Sequence, residues 1–139
     1  MSKEMGLTTG MIPLLMTPGE LFDRITILQL RYERTTAPAT RELIAASLAR
    51  TQAAWASARI DDERTELRGL TDALATVNEA LWEEEDRIRD CERREDFGAA
   101  FVTSARTIAR LNDRRAALKR QISERCGLHT ADELKLYGS

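Results

Sequence analysis

A long series of apolar residues, spaced alternately three and four positions apart, restricts the fold of this chain more than any other feature. The series consists of Leu67, Leu70, Leu74, Val77, Leu81, Ile88 and Cys91, with one apolar position missing near 84–85. Such spacing places the side chains on one side of an α-helix and is typical of a coiled-coil seam. The sequence therefore predicts a long helix, capped by Asp61 or Asp62 and ending near residue 95, that needs a partner along its length.

The segment that follows this helix is its predicted partner. Its apolar residues are Phe97, Phe101, Ile108, Leu111, Leu118 and Ile122. Because their phase differs from that of the seam, one uninterrupted helix is excluded. We predict that Asp96 caps a new helix, that Gly98 loosens the joint, and that Gly127 ends the helix in a Schellman-type turn.

A short joint near residue 96 predicts that these two helices form an antiparallel hairpin. Facing residue numbers then sum to about 192, which pairs Leu81 with Leu111 and Leu74 with Leu118. The charges agree with this pairing. Residues 62–96 contain 13 acidic and 6 basic side chains, whereas residues 98–126 contain 2 acidic and 7 basic ones. Each exposed ion pair between them would stabilise by less than about 1 kcal/mol.

A helix is also predicted before this hairpin, from Pro18 to about Arg34. Thr17 and Glu20 have the spacing of a capping box, and Pro18 occupies the first helical position, where its missing N–H has no cost. The main apolar stripe of this helix consists of Leu21, Ile25, Leu28 and Tyr32. Phe22, Ile27 and Leu30 add apolar surface on its other faces. A helix that is apolar on most sides lies centrally in a fold or at a subunit contact.

Two more helices complete the prediction. The second helix of the chain starts at Pro38 and runs to about Arg59. Helical spacing in it is kept by Ile44, Leu48, Thr51, Trp55 and Ala58. A last capping box, Thr130 with Glu133, opens a short C-terminal helix over residues 131–137. We therefore predict an all-α fold, an antiparallel bundle of four main helices with a short fifth one, in a single domain over residues 1–139 whose residues 1–16 are extended.

Composition excludes several classes of function. With 7 Gly and 3 Pro the chain is unlike a turn-rich β-protein. One His and two Cys are too few for a multi-histidine or four-cysteine metal site. A net charge of −2 argues against broad nucleic-acid binding. The sequence shows no secretory signal, no membrane-spanning run and no cofactor motif. We expect a cytoplasmic protein without a cofactor that binds neither nucleic acid nor membrane.

Polar residues on otherwise apolar helix faces mark the candidate site. The long helix carries Asn78, Trp82, Glu85 and Arg89 on one stripe, and the next helix carries Asn112, Arg115 and Lys119 beside its apolar run. A partly buried ion costs several kcal/mol unless it is paired and hydrogen-bonded. Arg115 and either Glu84 or Glu85 should therefore have partners. Two interpretations stay open: a pocket in which Arg115 and Lys119 bind an anion, and a buried hydrogen-bonded layer that fixes the helix register.

Two runs of charged residues resemble binding sites, but we expect neither of them to bind a ligand. Residues 83–86 (EEED) supply carboxylates of the kind that Mg²⁺ prefers, but metal binding is not expected here. Arg106, Arg110 and Arg114 recur every four residues, a spacing that could follow a phosphate backbone. We interpret these arginines as a solvated face opposite the acidic helix.

Several segments together resemble a small bacterial family of uncharacterised proteins, a domain of unknown function. The matching segments are residues 17–28, 78–89, 97–101, 105–106 and 112–119, so the resemblance covers nearly the whole chain. The tail over residues 132–137 departs from the family pattern by one position. The resemblance implies an all-helical fold and an accessory role beside surface-glycan genes, with no established activity. The residues that it places in the family pattern are Glu20, Asp23, Asn78, Trp82, Glu85, Asp86, Arg89, Arg106, Asn112, Asp113, Arg115 and Lys119.

We expect an accessory interaction or small-ligand-binding protein, linked to glycan or small-molecule metabolism, that forms a homodimer. Its partner would be an anionic small molecule or another protein. The ligand-binding residues would be Asn78, Trp82, Arg89, Asn112, Arg115 and Lys119. The alternative is a small helical enzyme that acts on an anionic metabolite such as a sugar nucleotide. In that case Glu85 or Asp86 would act as acid or base, or would hold Mg²⁺.

Overall fold

The fold is an all-α bundle, as the sequence predicts. The structure is a computed structural model that describes residues 9–58, 60 and 64–128. Within these residues the chain forms α1 (Pro18–Arg34), α2 (Pro38–Ser57), α3 (Arg64–Arg93) and α4 (Ala99–Arg125), and no strand. The predicted caps Asp61 and Asp62, His129, and the short helix over residues 131–137 lie outside the described residues.

The hairpin of α3 and α4 builds the core. The residues buried in it are Leu67, Leu74, Val77, Leu81, Leu118 and Ile122. Leu67 and Ile122 share the core at the open end of the hairpin, whereas Cys91 and Ser104 line one cavity at the connected end, so the two helices are antiparallel. The predicted seam is therefore confirmed as the apolar face that α4 covers.

Helix α1 completes this core, and α2 lies outside it. Helix α1 contacts α2, α3 and α4, whereas α2 packs mainly on α1. Phe22 meets Trp55 with ring centroids 4.7 Å apart, and Arg41 lies 4.1 Å from the Tyr32 ring, so α1 and α2 are antiparallel. Only Thr51 of α2 is buried. The predicted stripe of α2 is thus half-buried at most other positions, and the helix ends at Ser57 instead of Arg59.

The start of α4 differs from the prediction, because α3 ends in a turn of its own. Glu95 adopts a left-handed conformation with φ 53°. The Asp96 amide then donates to the Cys91 carbonyl (2.9 Å) and the Glu95 amide to the Glu92 carbonyl (3.1 Å), which is a Schellman motif. Asp96 therefore belongs to this closing turn and does not cap α4. The N-cap of α4 is Gly98, whose amide donates to Asp96 Oδ1 at 3.2 Å.

The start of α1 and the end of α4 follow the sequence. Thr17 Oγ1 accepts from the Glu20 amide (3.2 Å), and Pro18 occupies the first position of α1. At the end of α4, Gly127 has φ 89°. The Leu128 amide there donates to the Ser123 carbonyl at 2.9 Å, which confirms the predicted Schellman turn.

A glycine allows α1 to touch α4 backbone to backbone. A Cβ built on Gly19 would lie 2.2 Å from the Lys119 carbonyl oxygen, far inside van der Waals contact. The Gly19 amide also donates to Ser123 Oγ at 2.9 Å. This contact places the first turn of α1 against the last turns of α4, so the two helices are antiparallel and α1 runs parallel to α3.

Replacing Gly19 by Ala should destabilise the protein by more than about 2 kcal/mol, because the added methyl group meets backbone that cannot move aside. Gly69→Ala is the matched control. Gly69 lies in α3 with nothing within 4 Å of an added Cβ, so this change should stabilise by about 0.5–1 kcal/mol. Urea unfolding, monitored by circular dichroism, measures the free energy of unfolding of both variants. Equal effects of the two substitutions would contradict the close contact.

Candidate functional site

The side of α1 that faces α3 and α4 carries polar residues. The buried residues Gly19, Asp23, Thr26 and Leu30 follow steps of four, three and four along it. Ile25 and Leu28 of the predicted apolar stripe are also buried, whereas Leu21 and Tyr32 are only half-buried. Asp23, with 4% of its surface exposed, is the one acidic residue among the buried polar residues of the described chain. A carboxylate in that position needs partners, because an unpaired buried charge costs several kcal/mol.

Arg115 of α4 supplies the main partner. Its Nε donates to Asp23 Oδ1 at 2.9 Å, and its Nη2 donates to Asp23 Oδ2 at 2.5 Å. This two-point contact matches the planar guanidinium to the planar carboxylate. Lys119, one turn further along α4, places its Nζ 3.6 Å from Asp23 Oδ2 and 2.8 Å from Glu20 Oε1.

Asn78 connects α3 to the same carboxylate. Its Nδ2 donates to Asp23 Oδ1 at 3.0 Å and to Thr26 Oγ1 at 2.8 Å. The Thr26 hydroxyl in turn donates to the Asp23 backbone carbonyl at 2.9 Å. Within the described residues every buried side-chain nitrogen and oxygen atom has a partner. Asp23 therefore joins three helices in one satisfied network, which we call the Asp23 network (Glu20, Asp23, Thr26, Asn78, Arg115 and Lys119).

The network fixes the charges of its two central groups. Burial alone would raise the pKa of the Asp23 carboxyl. Hydrogen bonds from Arg115 and Asn78, with the positive charges of Arg115 and Lys119, outweigh burial and bring this pKa below its ordinary value. The hydrogen bond that Arg115 donates to Asp23 raises the pKa of the Arg115 guanidinium, despite burial. Both groups are ionised at neutral pH.

A cleft of about 360 Å³ opens beside the network, between α1, α3 and α4. Its chemically distinctive lining residues are Arg31, Asn78, Trp82, Glu85, Arg89 and Arg115, with apolar side chains of α1 and α3 between them. The structure thus places the predicted polar stripe of α3 and the predicted arginine of α4 around one opening. Arg31 was not part of the sequence prediction, because an exposed arginine at the end of a helix carries no distinguishing pattern.

The lining of the cleft carries three guanidinium groups and one carboxylate, that of Glu85. Arg89 lies 3.1 Å from Asp86 and 3.8 Å from Glu85, and all three side chains are more than half exposed. In the described part of the chain Arg31 forms no ion pair. Arg34 lies 5.8 Å from the centre of the Trp82 ring, so one face of the indole already interacts with a cation. This arrangement suits a small anionic ligand.

Other predicted site residues lie elsewhere. Asp86 lines a separate cavity that includes Cys91 and Ser104, and neither Asn112 nor Lys119 lines the cleft. Glu84 pairs with Arg87 on α3 itself, as Glu85 does with Arg89. Over the described residues no group of three or more His, Cys, Asp or Glu side chains could hold a metal ion.

The partner of Arg115 was the main residue missed. The sequence predicts that Arg115 has a partner without identifying it, and the structure supplies Asp23 of α1. The spacing of residues 19, 23, 26 and 30 contains the signal, but an Asp, a Thr and a Gly do not count in a search for apolar periodicity. Only the family resemblance drew attention to Asp23.

Comparison of the chain with protein-family models, with curated proteins and with solved structures gave no match. No helix within the described residues has the length and apolar character needed to cross a membrane.

Arg115→Ala should reduce the free energy of unfolding by about 3 kcal/mol, because it leaves the buried Asp23 carboxylate without its main partner. The matched control is Arg114→Ala, which removes an exposed neighbour on α4 and should change stability by less than about 0.5 kcal/mol. Urea titration of both variants measures the difference. An unchanged stability of Arg115→Ala would mean that the ion pair is not structural.

The ion pair also predicts a pH dependence. The pKa of Asp23 is lower in the folded chain than in the unfolded chain, so its contribution is complete above about pH 4 and is lost as the pH falls through the folded value. The stability difference between wild type and Asp23→Asn should therefore shrink below about pH 4. The control Asp72→Asn removes an exposed carboxylate of α3 outside the network. A difference for Asp23→Asn that is constant down to pH 2 contradicts the assignment.

Proposed function

We propose that the chain binds a small anionic ligand in the cleft between α1, α3 and α4. The observation that carries this proposal is the convergence of Arg31, Arg89 and Arg115 on one opening beside Trp82. Guanidinium groups recognise carboxylates and phosphates through paired hydrogen bonds, and Arg31 offers such a group that no carboxylate of the described residues engages.

Arg115 can bind a ligand in addition to Asp23. A guanidinium has five N–H groups, and Asp23 uses two of them. The remaining N–H groups are the two on Nη1 and the second one on Nη2. Arg115 has 30% of its side chain exposed and lines the cleft, so Asp23 holds the guanidinium in a fixed orientation for a ligand. A positioned donor loses little conformational freedom on binding.

The size and the aromatic wall narrow the ligand class. A volume of about 360 Å³ lies at the lower end of the usual range for ligand pockets, and it suits a compact molecule. Trp82 offers an apolar surface on which a ring can stack. A ring that carries a phosphate or carboxylate fits these features. The link to glycan metabolism rests on the family resemblance alone.

An enzymatic role is the second candidate, and the observation that favours it is Glu85. Its carboxylate lies in the same cleft as the cationic groups, where it could accept a proton from a hydroxyl of the bound ligand. Glu85 lines the cleft and Asp86 does not, so Glu85 is the better acid or base candidate of the two.

The division between binding and structural residues can be tested by thermal shift. The probes are inorganic phosphate, sugar phosphates and nucleotides, because a compound at a hundred times its dissociation constant stabilises by about 2.7 kcal/mol. Arg31→Ala should abolish the shift produced by the best probe and leave the stability of the free protein within about 0.5 kcal/mol. Arg24→Ala, which removes an exposed arginine of α1 outside the cleft, should keep the shift.

Glu85→Gln separates the two candidate functions. The substitution should leave binding of the probe intact. If the protein is an enzyme, the variant should lose turnover of the probe, which is measured by chromatography of the reaction mixture. No shift with any probe, or a shift that persists in both Arg31→Ala and Arg89→Ala, would overturn binding in the cleft.

A further inference from the structure

Residues 11–16 (MIPLLM), which we call the arm, are apolar and uncovered. They precede α1 and belong to no helix or strand. Leu15 has 97% of its surface exposed, and Ile12 and Leu14 have 87% each. The flanking methionines, Met11 and Met16, are about half exposed. Six consecutive apolar residues in this state are unusual at the surface of a folded protein.

The apolar area of the arm is large for a chain of this size. If a fully exposed aliphatic side chain offers on the order of 100 Å², the arm presents roughly 350 Å² to water. An apolar patch of this size on a monomer is commonly functional. The arm also runs without helix or sheet pairing, so its backbone N–H and C=O groups are available to a partner.

The same chain carries a groove with the matching character. It lies between α1, α2 and α3, has a volume of about 700 Å³, and is walled by Phe22, Trp55 and Leu67. Gln29, Thr71 and Asp72 provide hydrogen-bonding groups at its sides. We call it the Trp55 groove. An apolar floor with polar sides suits an extended peptide, whose side chains need apolar cover and whose backbone needs hydrogen-bond partners.

We propose that the arm of one copy of this chain lies in the Trp55 groove of a second copy, and that the exchange is reciprocal. The exposure of the arm shows that it does not cover its own groove. Residues 11–17 form no turn and residues 11–16 are exposed, so the arm does not fold back over the groove, which begins at Phe22. The arm therefore meets a second molecule, and reciprocal exchange closes the assembly as a twofold dimer.

The buried area is sufficient for a stable dimer. Each arm removes roughly 350 Å² of its own surface from water, and the groove that it covers offers about half that area. Two such contacts bury roughly 1,000 Å², which reaches the lower bound for a specific protein–protein interface. The apolar side of α1 and the seam of α3 are mostly buried within the bundle, and their open parts at Phe22 and Leu67 belong to the Trp55 groove.

Sedimentation velocity of the full chain over 1–100 µM tests the proposal. The wild type should sediment as a dimer. Leu14→Asp combined with Leu15→Asp should weaken dimerisation more than about 100-fold, because it places two charges in an apolar contact. Ala75→Glu, at an exposed position that lines the groove, should weaken it as well. Leu43→Asp is the matched control: Leu43 is 74% exposed on α2, outside both surfaces, and its substitution should leave the dimer intact.

Crosslinking identifies the surfaces in contact. A photoreactive amino acid at position 15, in an unlabelled copy mixed with ¹⁵N-labelled wild type, should attach to labelled peptides that contain residues 22–29 or 67–75. A monomeric wild type at 100 µM, attachment to the arm of the other copy, or attachment within the same copy would each overturn the proposal. The proposal would also be overturned if Leu43→Asp disrupted the dimer as strongly as the combined Leu14→Asp and Leu15→Asp substitutions. Because the Trp55 groove and the arginine-lined cleft share no residues, loss of the dimer and loss of anion binding are separate outcomes.

Discussion

The carboxylate of Asp23 is the group on which the arrangement of the bundle depends. It comes from α1, but its partners come from α3 and α4, so it is satisfied only when all three helices are in place. Apolar packing tolerates small sliding of one helix along another, whereas a two-point contact between guanidinium and carboxylate does not. The leucine-rich core supplies most of the driving force for folding, and we infer that Asp23 favours one register among those that would bury similar apolar area.

The two interpretations of the polar layer, pocket and structural layer, are compatible in this architecture. Asn78 and Arg115 belong to the Asp23 network and also line the cleft. Residues that contribute only to the cleft, such as Arg31 and Arg89, lie at its exposed side. Stability and the proposed binding are therefore separable by residue, although they share one cluster.

The sequence predicts the helices well because their signals are local. The leucine seam, the Thr17 cap and the Gly127 turn each depend on a few neighbouring residues. The prediction that Asp96 caps α4 is wrong because Glu95 adopts a left-handed conformation, which a sequence pattern would assign to glycine or asparagine. The partner of Arg115 was missed for a different reason. A buried aspartate contributes nothing to apolar periodicity. Its stabilisation depends on Asn78 and Arg115, which follow it in the chain by 55 and 92 positions. Contacts of that range require the tertiary arrangement.

The peripheral position of α2 has a consequence for motion. This helix contributes one buried residue, Thr51, and rests mainly on α1 through contacts such as that between Trp55 and Phe22. Its detachment would break neither the Asp23 network nor the core between α3 and α4. We therefore expect α2 to be a unit of low local stability, whose amide hydrogens exchange with solvent through partial opening before those of the other three helices.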